Sequence, residues 1–118
     1  MVGSAPPGGT FTTASGTATG GGWVNVYTVP SGKKLYWSNI HYFCVATSTN
    51  IAWLEVADAT PTMQYRVAYF NPQSGQSLQQ FVNFQPAFEI PAGWSIRGFS
   101  GGSTIWLFLS MMGWLFDA

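Results

Sequence analysis

His41 and Cys44 are the single histidine and the single cysteine of the chain. They sit three residues apart in a stretch that reads as extended, where alternate side chains point to opposite faces, so the two cannot share a metal ion. One cysteine forms no intrachain disulfide and, with one histidine, no structural zinc site. His41 reads as a hydrogen-bonded strand residue rather than a general base. The four carboxylates, Glu55, Asp58, Glu89 and Asp117, fall on different elements, with no local signature of a glycosidase pair. No Gly-x-Ser-x-Gly elbow accompanies the many serines. Gly20-Gly21-Gly22 leads into a strand and not a helix, so it lacks the helix N-terminus that a phosphate loop requires. Lys33 and Lys34 read as solvated turn residues. Arg66 and Arg97 are single strand positions, available to pair with Glu55 or Glu89. These residue types point to a protein that is not an enzyme and that needs no cofactor and no metal.

The other residues with a chemical vocation are the aromatic ones: six Trp, five Tyr and nine Phe. Such rings can serve two ends. Exposed rings flanked by Asn, Asp or Gln stack on sugars, and Trp23, Trp37, Trp53, Trp94 and Trp106 could supply such a platform, the first four being the candidate set for bound glycans. Rings massed without polar company instead seal protein contacts.

Charge favours the second use. Only 7% of the chain is Asp, Glu, Lys or Arg and the net charge is zero, against roughly 25% charged residues in an ordinary soluble domain. That balance excludes a basic nucleic-acid platform, an acidic disordered tail and a charged coiled coil. With 17% aromatic residues and so few charges, the surface is expected to self-associate or to join a larger assembly.

The elements that must position these residues are strands. Residues 1–22 are almost entirely Gly, Ser, Thr, Ala and Pro and bury too little apolar area to order by themselves, so they read as a flexible arm, with residues 10–13 available as an added strand against a neighbour. From Trp23 the pattern is β throughout, placing the folded domain at 23–118. Strands are predicted at 23–29, 34–46, 51–56, 63–70, 78–84, 88–90, 94–99 and 103–112, with turns at Pro30-Ser31-Gly32, 47–50, 58–61, 71–75, Gln85-Pro86, Pro91-Ala92-Gly93 and 100–102. About eight short strands with regular turn signals predict an all-β fold, an antiparallel β-sandwich of jelly-roll type.

The last strand is apolar on both faces. Ile105, Leu107, Leu109 and Met111 point one way, and Trp106, Phe108 and Met112 the other. A doubly apolar strand needs cover on both sides. The cover expected for the outer face is a second subunit, the N-terminal arm, or the tail Trp114-Leu115-Phe116 folding back. Trp106, Phe108, Met112, Trp114 and Phe116 are therefore the candidate subunit interface. The chain opens with neither a secretory signal nor an apolar run long enough for a membrane helix, and its lone thiol suits a reducing cytosol.

Val29-Pro30-Ser31-Gly32 and Ile90-Pro91-Ala92-Gly93 echo each other, each ending one element and opening a new strand, and the second is followed by a Gly-Gly hairpin and an apolar closing strand. On these motifs residues 23–112 resemble the small jelly-roll and TNF-like sandwich proteins of bacteriophage particles, which act as head-decoration, head-fibre or tail-associated proteins. The resemblance implies a virion structural protein, made in the host cytoplasm and assembled as a homo-oligomer, a trimer being commonest. Its partners would be a major capsid or other virion protein, with glycans as a compatible further ligand and neither nucleic acid nor membrane.

Overall fold

A computed structural model describes residues 9–118. They form eight strands: β1 (Thr10–Ala18), β2 (Trp23–Thr28), β3 (Lys33–Ala46), β4 (Ala52–Ala57), β5 (Met63–Phe70), β6 (Ser77–Ile90), β7 (Ser95–Ser100) and β8 (Ile105–Asp117). Two four-stranded antiparallel sheets result. Sheet I has the order β1-β8-β3-β6 and sheet II the order β2-β7-β4-β5. Every connection crosses from one sheet to the other except the β4–β5 hairpin, which is the strand order of an eight-stranded jelly roll. The all-β sandwich expected from the turn spacing is the fold of the chain.

Period-2 alternation builds the core. Leu54 and Val56 of β4, Ile96 of β7, and Ile105, Leu107, Leu109 and Met111 of β8 all point between the sheets and are buried, together with Leu35, Ile40 and Cys44 of β3. Burial pushes the Cys44 thiol up to about 11, because an apolar surround disfavours the thiolate. The two echoing turns pack together: Val29 N–H donates to Trp94 O, and Gly93 N–H to Val29 O, each at 2.9 Å. Gly32 and Gly93 take φ of 74° and 84° at the same place in each turn, a conformation that an L side chain resists.

The structure corrects the arm. Residues 1–8 lie outside the described residues, but Thr10–Ala18 is an edge strand of sheet I, paired with β8 from Thr10↔Leu115 to Ala18↔Leu107. Its composition offers little burial. What holds it is a full backbone ladder, with Thr12, Ala14, Gly16 and Ala18 small enough to turn inward over the core. The sandwich thus begins within the segment read as flexible, and the added strand joins its own chain.

A second departure lies in β3. The register against β8 shifts between Trp37 and Asn39, so one extra residue, Ser38, sits in β3 there; against β6 the same point falls between Phe88 and Asn83, and the unpaired residues 84–87 are in β6. Opposite this bulge Gly113 lies so close to β3 that a Cβ there would come within 2.7 Å of the Tyr36 carbonyl oxygen. Strand β6 stays extended through Pro86, where a turn was expected, although its pairing with β3 lapses over residues 84–87. It is the edge of sheet I, a position that tolerates a missing backbone donor.

Candidate functional site

Sheet II turns one face to the core and the other outward. On the outer face the registers Trp23↔Phe99, Phe99↔Trp53 and Trp53↔Tyr69 line up one aromatic residue from each of the four strands. Adjacent strands are about 4.8 Å apart, so the row spans about 14 Å. Its centre is a stack: the Trp53 ring lies 4.3 Å from Phe99 at 28° and 6.4 Å from Tyr69 at 13°. Rings stacked across neighbouring strands stand on edge. Trp23 is turned instead, at 79° to Trp53 and 54° to Phe99. The accessible ring area is at the two ends of the row, where Trp23 is 48% and Tyr69 50% exposed.

A polar row runs beside it: Asn25, Arg97, Glu55 and Arg66, again one residue per strand. Glu55 is 1% exposed although it is on the outer face. Both of its oxygens are used, since Trp53 Nε1–H donates to Oε1 at 2.7 Å and Arg97 Nε–H to Oε2 at 2.8 Å. A charge taken from water survives when paired and hydrogen-bonded in this way. The Arg97 guanidinium also lies 3.9 Å from the Trp23 ring centroid, and Arg66 lies 4.8 Å from that of Trp53 and 5.3 Å from that of Tyr69. Asn25 Nδ2–H donates to Thr28 Oγ1 at 2.7 Å, and Thr28 shares a hydroxyl contact of 2.8 Å with Ser95.

The four tryptophans expected as a platform do not come together. Trp23 and Trp53 are neighbours at 5.8 Å. Trp37 is wholly buried in the core, with its indole N–H donating to the Asn39 carbonyl, and it can present no ring to a ligand. Trp94 belongs to the turn before β7 and packs against the core. Tyr69, Phe99, Glu55 and Arg66 complete the face without having been singled out for it. Trp106 lies on the other sheet.

The candidate interface residues Trp106, Phe108, Met112, Trp114 and Phe116 share the outer face of sheet I. Among the described residues neither internal cover closes over it. Strand β1 lies beside β8 in the plane of the sheet, adding Phe11 against Trp114 at 5.1 Å, and residues 114–116 simply continue β8. Phe11, Phe81 and Phe108 are 50%, 53% and 41% exposed there. The charged groups of this sheet keep to one end, where Lys33 pairs with Asp117 and Lys34 with Glu89. His41 is on this face, 6.1 Å from Phe81, while Cys44 is in the core on the opposite face. Among the described residues no three of His, Cys, Asp and Glu gather as metal ligands.

Between the sheets, where edge strands β5 and β6 splay, runs a groove of about 460 Å³ lined by Tyr42, Val67, Phe70, Leu78, Gln80 and Val82. On its sheet I wall Tyr42 O–H donates to Oε1 of its register partner Gln80 at 2.6 Å.

No family model and no curated protein matches the sequence. Among solved structures the chain is similar to the carbohydrate-binding module CBM6cm-2 of Cellvibrio mixtus lichenase 5A, in complex with cellotriose, at 14% identity over 85% of each chain with a TM-score of 0.39. It is similar to a CBM4 structure at 12% identity, covering 95% of this chain and 85% of that one with a TM-score of 0.40. The K1 cleaved adhesin domain of the Lys-gingipain of Porphyromonas gingivalis overlaps at 12% identity, 93% and 99% coverage and a TM-score of 0.40. Overlaps this loose carry no weight for what the chain binds.

Proposed function

We propose that this chain is a non-catalytic glycan-binding β-sandwich whose binding surface is the outer face of sheet II. One observation carries the reading: an aromatic row with accessible rings at both ends runs directly beside a row of Asn25, Arg97, Glu55 and Arg66. A pyranose has an apolar C–H face and a rim of hydroxyls. The rings of Trp23 and Tyr69 suit the first, and the amide and guanidinium groups suit the second, the division of labour that small-ligand sites use generally. Phe99 and Trp53 act as a buttress, and Glu55 fixes both Trp53 and Arg97 before any ligand arrives, which spares ordering entropy on binding.

The test is a saccharide array followed by titration calorimetry on Trp23→Ala and Tyr69→Ala. Each variant should weaken binding tenfold or more while retaining the fold. Binding that neither variant alters, or no saccharide bound at all, would overturn the reading.

The outer face of sheet I favours a second, compatible role in self-assembly. Strand β3 has 14 residues, so four strands offer a face of about 46 by 19 Å, near the ~800 Å² per partner of a standard stable interface. Its middle carries exposed Phe81 and Phe108 without a charged side chain to oppose a second copy of the same face. An oligomer built through sheet I leaves sheet II open, the arrangement that a particle-bound subunit of the bacteriophage type would need.

A further inference from the structure

We infer that the saccharide held by sheet II is acidic, carrying a carboxylate or sulfate ester that pairs with the guanidinium of Arg66. The inference rests on the glycan-binding reading and specifies the chemistry of its ligand.

It follows from where each charge of the molecule is spent. Arg97 is bound to Glu55, Lys33 to Asp117 and Lys34 to Glu89. The remaining carboxylate, Asp58, is saturated by its own loop. It accepts from the backbone N–H groups of Thr60 and Thr62, from the Thr60 hydroxyl and from Gln64 Nε2. Arg66 alone among the described cationic side chains has no carboxylate. It stands opposite Glu55 in the strand register, yet that carboxylate is turned to Arg97 and Trp53.

Arg66 is also exposed and held, with Trp53 and Tyr69 both within cation–π distance. A guanidinium braced by rings keeps its N–H edge for two oxygens of a carboxylate or sulfate and meets them bidentately, which a lysine cannot do. With Glu55 paired to Arg97, Arg66 is the cation of these two rows that no carboxylate engages, and it stands at the Tyr69 end of the aromatic row, while the charge of Asp58 is held by hydrogen bonds beyond Gln64. A sugar ring stacked on Tyr69 would bring its acidic substituent against Arg66.

The experiment is an array in which uronate, sialylated and sulfated oligosaccharides are each printed beside the matching methyl ester or desulfated sugar. The full chain, Arg66→Gln, Arg66→Lys and Trp23→Ala are read at low and high salt. The inference expects acidic members to be bound at least tenfold better than their neutral partners. Arg66→Gln should lose that preference, Arg66→Lys should keep part of it, and high salt should reduce it. Uronate and sialylated members against sulfated ones distinguish the two oxyanions. Neutral sugars bound equally well, lost in Trp23→Ala and indifferent to Arg66→Gln, would overturn the acidic ligand and leave the glycan-binding face standing. Binding to no member would overturn both.

Discussion

The indole N–H of Trp53 and the carboxylate of Glu55, two residues apart on one face of β4, are joined at 2.7 Å, and the same carboxylate grips Arg97 from the neighbouring strand. A buried acid thus sets the attitude of the central ring of sheet II and of the cation that lies over Trp23.

Removing that acid leaves Arg97 uncompensated. Glu55→Ala is expected to cost about 3 kcal/mol, at the low end of what a broken buried ion pair costs, because the Arg97 side chain keeps 18% of its exposure. Glu55→Gln, which retains an acceptor for Trp53, should cost less. Urea denaturation followed by tryptophan fluorescence checks both, and a loss below about 0.5 kcal/mol for Glu55→Ala would mean that solvent already screens the pair.

Two tryptophans should behave in opposite ways. Trp37→Ala empties a fully buried site and is expected to lose about 3–5 kcal/mol. Trp23→Ala, nearly half exposed, should lose about 1 kcal/mol or less. Paired melting curves decide it.

Cys44 should resist a thiol reagent in the native protein and react once the chain is unfolded. Its folded thiol holds the proton up to about pH 11, whereas the unfolded thiol releases it near 8.5. The unfolded state therefore loses its proton first, and stability should decline across that interval as pH rises. Cys44→Ala should flatten this part of the profile.

Phe108→Asp or Trp106→Asp should reduce the mass seen by light scattering at micromolar concentration, with the melting temperature little changed, because the outer face of sheet I is not part of the core. Unchanged mass in both variants would place the subunit contact elsewhere.

The strand pattern from Trp23 onward was largely legible, because half-buried strands declare themselves by alternation. Strand β1 was not, since Ser, Thr, Gly and Ala carry no such signal and its stability comes from the backbone of β8. The misplacement of Trp37 has a single cause. Counting by twos from Ile40, Tyr42 and Cys44, which face inward, sends Trp37 outward; the bulge at Ser38 adds one residue and returns it to the core. Trp94 shares the parity of Ile96, a sign of its inward position that was there to be read. The row through Trp23, Phe99, Trp53 and Tyr69 depends on which strands are neighbours, and no stretch of linear sequence holds that information.

Strand β1 finds its hydrogen bonds only on β8, which lies some ninety residues later in the chain. Sheet I can be completed only after residues 105–117 have been synthesised, so its assembly should be governed by long-range encounter, in the slow class typical of sandwiches rich in distant pairings. Once made, the greasy segment from Ile105 to Leu109 stays sticky until β1 and β3 clasp it, and that interval is the moment at which a chaperone would matter most.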